Sequence, residues 1–289
     1  MQTRPASAND LAVIAALNGR YETKWFGAPE QSEAEVAEQL GWAAPLAENS
    51  LLVFDTARLV GAGLRFGENI SLEIDPDVEP GPVLAVLLPW FAERPGTVEI
   101  LSSDEAALAV AQRQGWTHVK STFELIREVT PDLEIPEPVW PQGVAARGFD
   151  AADAEAVHRL IYVDAGWAEI PGHPARDYDD WRSIFVTEHT VPEQQVIAWR
   201  GDRIVGVAMG RIWDDGTGWI AQLASAKDER GKGLGRALLS HALRLRVQTG
   251  ARSLGLSVQS PNRGALKMYL AAGLAIDREF RTLAAPERD

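Results

Sequence analysis

The chain has 289 residues, 46% of them hydrophobic, and a formal net charge of −13 at pH 7. This length and apolar content allow two modest domains, and the acidic balance argues against nucleic acid as a partner, because a phosphate backbone requires a basic surface. The absence of cysteine excludes disulfides, a thiolate nucleophile and a cysteine-ligated metal, and the five histidines show no paired metal-ligand spacing.

The first residues and the hydropathy pattern predict a cytoplasmic protein. The segment 1–5 lacks the apolar core of a signal peptide. No apolar run is long enough to span a bilayer, so we expect no membrane association.

Three apolar runs in the first third of the chain, at 51–54, 59–66 and 70–74, predict strands. The loop that follows, 75–82, is rich in proline, aspartate and glutamate. Proline has no N–H donor and carboxylates repel anions, so this loop should not bind a phosphate group.

A proline-rich segment at 130–141 contains four prolines and predicts a semi-rigid linker. The sequences on its two sides resemble each other, which predicts a tandem duplication of a whole domain, with copies at 1–129 and 142–289. Near the start of each copy, Arg4, Asp10 and Leu17 recur 143 positions later as Arg147, Asp153 and Leu160; near the end, Ala107 and Gly115 recur 158 positions later as Ala265 and Gly273.

A glycine-rich loop at 229–236 lies between an apolar run at 218–225, which predicts a strand, and a segment with helical periodicity. Backbone N–H groups in such a loop, together with the positive end of the helix dipole, form a receptor for a phosphorylated ligand. The loop has neither the Walker A pattern nor the position and spacing of a dinucleotide-binding fingerprint. A second predicted strand at 252–258 and a predicted helix after Asn262 follow it.

This series of strand, Arg-x-x-Gly-x-Gly loop, helix, strand and Asn-x-x-Ala-x-x-x-Tyr-x-x-x-Gly resembles the GNAT superfamily of acyl-CoA-dependent N-acyltransferases, from about residue 196 to the C-terminus. The resemblance implies an α/β (α+β) fold with two tandem GNAT-like domains, each a mixed, largely antiparallel central sheet flanked by helices. The tandem layout is similar to that of mycothiol synthases, but the similarity covers only the layout and the CoA motifs and assigns no acceptor.

The resemblance also implies that acetyl-CoA (CoA) is the cofactor and that only the C-terminal domain binds it. The pantetheine arm would lie between the strands at 218–226 and 253–258. Asn262 would contact the pantetheine or the loop backbone, and it can also serve as a helix N-cap. The implied cofactor-binding residues are Leu223, Ala224, Ser225, Arg230, Gly231, Lys232, Gly233, Leu234, Gly235, Arg236 and Asn262.

In the N-terminal copy, Ala111 and Asp104 occupy the places of Tyr269 and Asn262. Together with the proline-rich loop, this predicts a structural partner without its own CoA site. It can still line the acceptor cleft, as domain junctions often do.

Tyr269 is the predicted catalytic residue. By resemblance its phenol would protonate the departing CoA thiolate as a general acid, and the alternative is a core tyrosine at helical spacing. A general base is not identified: Asp214 and Asp215 suit a hairpin turn. Glu169, His173, Asp177 and Asp179 all remain open as candidates, and an amine that is already neutral would need no base.

The acceptor segment mixes Trp167, Tyr178 and Trp181 with acidic residues, a composition that suits a cation. The sequence therefore predicts an N-acetyltransferase that acts on a small-molecule amine acceptor, as a monomer or homodimer. The alternative is a non-catalytic acyl-CoA-binding sensor or scaffold protein. Acetylation of a charged tRNA would require a basic groove, which the net charge disfavours.

Overall fold

The computed structural model describes residues 1–67, 69–94, 96–170, 175–187 and 190–286. The chain divides into two compact units. Unit 1 comprises Met1–Phe123, Gln259–Pro261 and Arg278–Asp289, and unit 2 comprises Glu124–Val258 and Asn262–Asp277. The predicted copies at 1–129 and 142–289 remain a prediction about the origin of the fold.

The described residues form strands and helices that we number in chain order. The strands are β1 (Gln2–Arg4), β2 (Ser50–Asp55), β3 (Arg58–Phe66), β4 (Asn69–Ile74), β5 (Thr97–Leu101), β6 (Thr117–Glu128), β7 (Val144–Arg147), β8 (Val196–Arg200), β9 (Arg203–Ile212), β10 (Thr217–Ser225), β11 (Ser253–Gln259) and β12 (Ala275–Ala284). The α-helices are α1 (Leu11–Phe26), α2 (Glu33–Trp42), α3 (Leu46–Asn49), α4 (Pro80–Ala92), α5 (Glu105–Arg113), α6 (Ala154–Arg159), α7 (Tyr178–Phe185), α8 (Leu234–Gln248) and α9 (Arg263–Ala271).

The strands predicted at 51–54, 59–66, 70–74, 218–225 and 252–258 are confirmed as β2, β3, β4, β10 and β11. Among the described residues, no helix is both long and apolar enough to cross a membrane.

The sheet of unit 1 follows the order β1-β2-β3-β4-β5-β12, in which only β4 and β5 are parallel. Residues 280–284 of β12 pair with β5, so the end of the chain completes the sheet that the first 101 residues begin. Apolar side chains pack on both faces of this sheet. One layer includes Leu17 of α1, and the other includes Phe91 of α4.

The sheet of unit 2 follows the order β6-β11-β10-β9-β8-β7. Its pairs from β7 to β10 are antiparallel, and β10 and β11 are parallel. The fold class is therefore the predicted one: a mixed, largely antiparallel sheet flanked by helices.

The proline-rich segment at 130–141 has neither helix nor strand and lies along α8 of unit 2. Arg244 Nη1 donates to the carbonyl oxygen of Ile135 at 2.8 Å, and the guanidinium also pairs with Glu137. The rings of Trp140 and His241 lie 5.7 Å apart. These contacts fasten the segment to a helix instead of leaving it as a free spacer.

The sequence repeat has counterparts in the ion pairs and helix caps of each unit. Arg4 pairs with Asp10 at 2.7 Å, and Arg147 pairs with Asp153 at 2.7 Å. Two further features recur 158 positions apart. The side chains of Asp104 and Asn262 cap α5 and α9 by accepting from Ala107 N and Ala265 N. Gly115 and Gly273 follow the ends of these helices with φ of 85° and 84°.

Candidate active site

The parallel strands β10 and β11 separate partway along their length. They pair from Thr217 with Ser253 to Ile220 with Leu256. Beyond Ile220, the register pairs of β10 are with β9 alone, and they continue to Ser225. The backbone edge of 221–225 therefore faces a gap between two strands, which suits an extended ligand that adds to the edge as a strand would.

A β-bulge between Ile220 and Gln222 interrupts the register of β10 with β9 at the point where β10 leaves β11. A bulge changes which side chains point to each face of a sheet. After it, Ser225 pairs with Gly206, and a Cβ at Gly206 would lie 2.7 Å from Leu238 of α8. Leu223 and Ser225 consequently face α8, while Gln222 faces the other side of the sheet.

Gln222 is 3% exposed and accepts a hydrogen bond of 3.1 Å from Nε1 of Trp181. Trp181 lies on α7 and is 0% exposed, inside a cluster of buried residues. The interpretation of Trp181 as an aromatic face for a cation was therefore wrong, because the sheet covers its indole. Trp167 and Tyr178 are half-buried, and Tyr178 stacks on Trp181 with 6.3 Å between the ring centroids.

The segment between β10 and the glycines is held by ion pairs. Glu229 is 3% exposed and receives two hydrogen bonds of 2.8 Å from Arg200, which hold the pKa of its carboxyl below the usual value. Asp228 receives two from Arg203, at 2.7 and 3.1 Å. These ion pairs hold the segment that leads into the loop in one conformation, as a preorganised ligand site requires.

Arg230 and Lys232, two predicted cofactor cations, already have contacts within unit 2. Arg230 Nη2 donates to the carbonyl oxygen of Ala165 at 2.7 Å. Lys232 Nζ lies 3.4 Å from Glu229 Oε2. Arg236 is exposed on the first turn of α8. All three residues place a positive charge within or next to the glycine-rich loop.

The glycines set the backbone at the start of α8. Gly231 and Gly233 have φ of 76° and 89°, the left-handed region that side chains disfavour. The first helical hydrogen bond runs from Ala237 N to Gly233 O at 3.1 Å. The N–H groups of Leu234, Gly235 and Arg236 precede it, so they have no partner within the helix and point out of its N-terminus.

Gly235 brings the loop close to α9. A Cβ at Gly235 would lie 3.5 Å from the sulfur of Met268, the residue before Tyr269. Asn262 is exposed and its side chain accepts from Ala265 N at 3.2 Å, so it acts as the N-cap of α9. The structure thus collects the predicted loop, the predicted strand edge and α9 in unit 2.

Tyr269 lies on α9 and is 7% exposed. Burial raises the pKa of its phenol to about 12. The phenol therefore keeps its proton at neutral pH, which is the state that a general acid requires.

The carboxylates proposed as bases mostly have structural partners. Asp177 caps α7 by accepting from Asp180 N at 2.8 Å, and Glu169 pairs with Lys227 at 2.5 Å. Asp215 accepts from the N–H and hydroxyl of Thr217, both at 2.7 Å, as a turn residue does. Asp179 is exposed. His173 lies outside the described residues.

A π-helical turn, Leu160–Asp164, follows α6 and had no signal in the sequence. Ala165 N closes it on Leu160 O at 2.7 Å. Next comes Gly166 at φ 73°, where a Cβ would lie 2.2 Å from Cε of Lys227. Only glycine lets Lys227 pass this close. Such turns recur at functional sites, and this one adjoins the segment that carries Glu229.

Comparison with known proteins identifies the architecture. A model of the Acetyltransferase (GNAT) family matches residues 154–274. Mycothiol acetyltransferase of Saccharopolyspora erythraea is 30% identical over 225 residues, which cover 76% of this chain and 70% of that protein. Mycothiol acetyltransferase of Actinosynnema mirum is also 30% identical, over 59% of this chain and 57% of its own length.

Two solved structures share the fold over nearly the whole chain. A GCN5-related N-acetyltransferase from Sphaerobacter thermophilus has a TM-score of 0.77 at 24% identity, with 98% of this chain and 94% of that one covered. A tandem GNAT protein from the clavulanic acid biosynthesis pathway has a TM-score of 0.73 at 16% identity, with 100% and 99% covered. The chain belongs to the GNAT family of acetyltransferases and has the layout of a tandem GNAT protein.

Proposed function

We propose that unit 2 transfers the acetyl group of acetyl-CoA to a primary amine on a small cationic molecule. The observation that carries this proposal is the separation of β10 from β11 directly before a glycine-rich helix N-terminus. A strand edge suits the amide groups of a pantetheine arm, and the N–H groups before α8 suit a pyrophosphate.

The residues around the loop fit such a ligand. A Cβ at Gly231 or Gly233 would have no heavy atom within 4 Å, so the space beside these glycines is open to a phosphate. Arg230, Lys232 and Arg236 add positive charge in an otherwise acidic chain. The cofactor would supply the acetyl thioester, and the protein would supply the groups that orient it.

Transfer to an amine needs stabilisation at two atoms. A backbone N–H near 223–225 would meet the negative charge that develops on the carbonyl oxygen. Tyr269, whose pKa burial raises to about 12, would donate its phenolic proton to the departing thiolate sulfur, and the proton that the attacking nitrogen loses would restore the phenol. Asn262 would hold the end of α9 and contact the cofactor.

An incoming ammonium group must lose a proton before it can attack. None of the candidate bases that already have structural partners is assigned to accept that proton. Asp177, Glu169 and Asp215 already bond to their own unit. We therefore propose that the amine reacts in its neutral form, so the rate should rise with pH in parallel with deprotonation of the acceptor.

The experiment that tests this function combines calorimetry with an acetyl-transfer assay. Acetyl-CoA and free CoA are titrated into the protein, and release of CoA thiol is then followed with a panel of amines. We expect one binding site per chain and thiol release with at least one amine. Tight binding without transfer to any amine would support the acyl-CoA sensor instead, and two sites would give the N-terminal copy a CoA site of its own.

A further inference from the structure

Unit 1 contains a buried polar cluster between α1 and β4. Asn18 and Glu22, one turn apart on α1, are 5% and 3% exposed. Asn18 Nδ2 donates to Oε1 of Glu73 on β4 at 3.2 Å. Glu22 Oε2 accepts from the backbone N–H groups of Glu30 and Gln31, at 2.6 and 3.1 Å. These contacts place three polar side chains and the backbone of Glu30 and Gln31 in one small region.

Three side-chain oxygens of this cluster are shielded from solvent and have no hydrogen-bond partner among the described residues: Asn18 Oδ1, Gln31 Oε1 and Glu73 Oε2. A buried polar atom without a partner costs free energy, and native proteins rarely keep one. All three oxygens are acceptors, so the missing partner is a donor. Asn18 carries most of this argument, because the residue is only 5% exposed and its Nδ2 already donates to Glu73.

The charges of the cluster favour a cation. Neither Glu22 nor Glu73 takes part in an ion pair among the described residues, whereas the neighbouring Glu30 is paired with Arg278 at 2.7 Å. Burial raises the pKa of Glu22 and raises that of Glu73 to about 7. Two carboxylates held close together without a cation are therefore destabilised in their charged form.

The number of donors indicates which cation fits. A primary ammonium group has three N–H donors, which equals the number of unpartnered oxygens. A hard metal ion such as Ca²⁺ takes six to eight oxygens, and in the described part of the chain no group of three His, Asp or Glu side chains could hold a metal.

Glu73 lies where β4 no longer pairs with β5. β4 and β5 pair from Asn69 with Thr97 to Ser71 with Glu99, so Glu73 lies on the part of β4 beyond this pairing. The strands β10 and β11 separate in the same way in unit 2. Instead of a phosphate loop, β4 leads into Asp75, which is 0% exposed and pairs with Arg58 at 2.7 Å and Arg20 at 2.9 Å.

We propose that unit 1 binds the ammonium group of a primary amine between Asn18, Gln31 and Glu73, as a binding site without acyl transfer. This site is separate from the one in unit 2 and does not depend on the function proposed there.

The test uses the full chain without acetyl-CoA, at pH 8 in potassium phosphate. Methylammonium chloride is the probe, and tetramethylammonium chloride, which has no N–H donor, is the matched salt. We expect saturating methylammonium to raise the melting temperature by about 2–4 °C more than tetramethylammonium does. Glu73→Gln and Asn18→Leu should each abolish this difference, while Glu105→Gln, at an exposed carboxylate of α5, should keep it.

Circular dichroism first establishes that each variant folds, and Gly233→Ala protein should respond as the wild type does because its change lies in unit 2. An equal response to both salts would mean a general ionic effect and would overturn the proposal. So would a difference that persists in Glu73→Gln, or no methylammonium response at all.

Discussion

The indole N–H of Trp181 donates to the side-chain oxygen of Gln222 at 3.1 Å, which ties α7 to β10 directly after the β-bulge. Both residues are buried. The hydrogen bond therefore connects the segment expected to meet the acceptor with the strand edge expected to meet the cofactor.

Gln222→Leu should lower the free energy of unfolding by about 1–3 kcal/mol, because it leaves a buried indole N–H unpaired. Urea unfolding of Gln222→Leu, Trp181→Phe and the double variant measures the coupling. In the Trp181→Phe background the same Gln222 change should cost less, since no N–H remains to be satisfied. Strictly additive costs would show that the hydrogen bond contributes nothing.

Gly233→Ala should weaken acetyl-CoA binding at least tenfold. At φ 89° an alanine strains the loop, and its Cβ enters the space proposed for the pyrophosphate. Calorimetry measures the affinity. Gly250→Ala is the matched control, because Gly250 has φ of 95° at the opposite end of α8, also with no atom within 4 Å of the added Cβ. It should carry a similar stability cost with unchanged affinity. Equal acetyl-CoA affinity in both variants would show that the loop does not bind the cofactor.

The parts of unit 2 that could be predicted from the sequence are those set by local patterns. An apolar run identified β10, helical periodicity after the glycine-rich loop identified α8, and Asn262 marked the start of α9. The ion pair of Arg147 with Asp153 follows from the repeat, because the two residues keep the spacing of Arg4 and Asp10.

Features that depend on distant parts of the chain had no such signal. The bulge before Gln222 arises from the register between β10 and β9, and the burial of Trp181 depends on how the sheet packs against α7. The pairing of 280–284 with β5 joins segments about 180 residues apart. An aromatic residue next to carboxylates looks the same in sequence whether it lines a cleft or fills a core.

Asn262→Ala should lower the free energy of unfolding by about 1 kcal/mol through loss of the α9 cap. Asp104→Ala removes the corresponding cap of α5 in unit 1, at 2.9 Å to Ala107 N, and should cost a similar amount. Calorimetry with acetyl-CoA then separates the two roles of Asn262. Only Asn262→Ala should weaken acetyl-CoA binding. If both variants lost the same amount of affinity, Asn262 would act only as a helix cap.

Tyr269→Phe should lower kcat by about 10²–10⁴-fold with acetyl-CoA affinity retained, because the phenol is proposed to act only on the leaving thiolate. The pKa of about 12 means that Tyr269 stays protonated through the whole range between pH 6 and pH 10. The wild-type rate should therefore show no decline toward pH 10 from this residue.

Tyr21→Phe, at a buried tyrosine of unit 1, is the control and should leave kcat unchanged. Steady-state assays with the best amine of the panel measure both variants. Full activity in Tyr269→Phe would show that Tyr269 contributes only to the packing of the core and not to catalysis.

Glu73→Gln should stabilise the protein at pH 8 and change its stability little at pH 4. The pKa of Glu73 is about 7 in the folded chain against 4.5 for the ordinary side chain, mainly because of burial. The folded state therefore holds this proton more tightly than the unfolded state, and the stability that the proton supplies is lost as pH rises from about 4.5 to about 7. Glutamine has no proton to lose, so the variant should gain on the order of 3 kcal/mol over the wild type across that window.

Urea unfolding at several pH values measures this difference, and the buffers must be free of amines, since an ammonium ligand would offset the cost of the charged carboxylate. Glu105→Gln serves as the exposed control and should show no such trend. A difference between Glu73→Gln and the wild type that stays constant from pH 4 to pH 8 would mean that Glu73 ionises normally. The buried cluster would then already contain a partner for its charge.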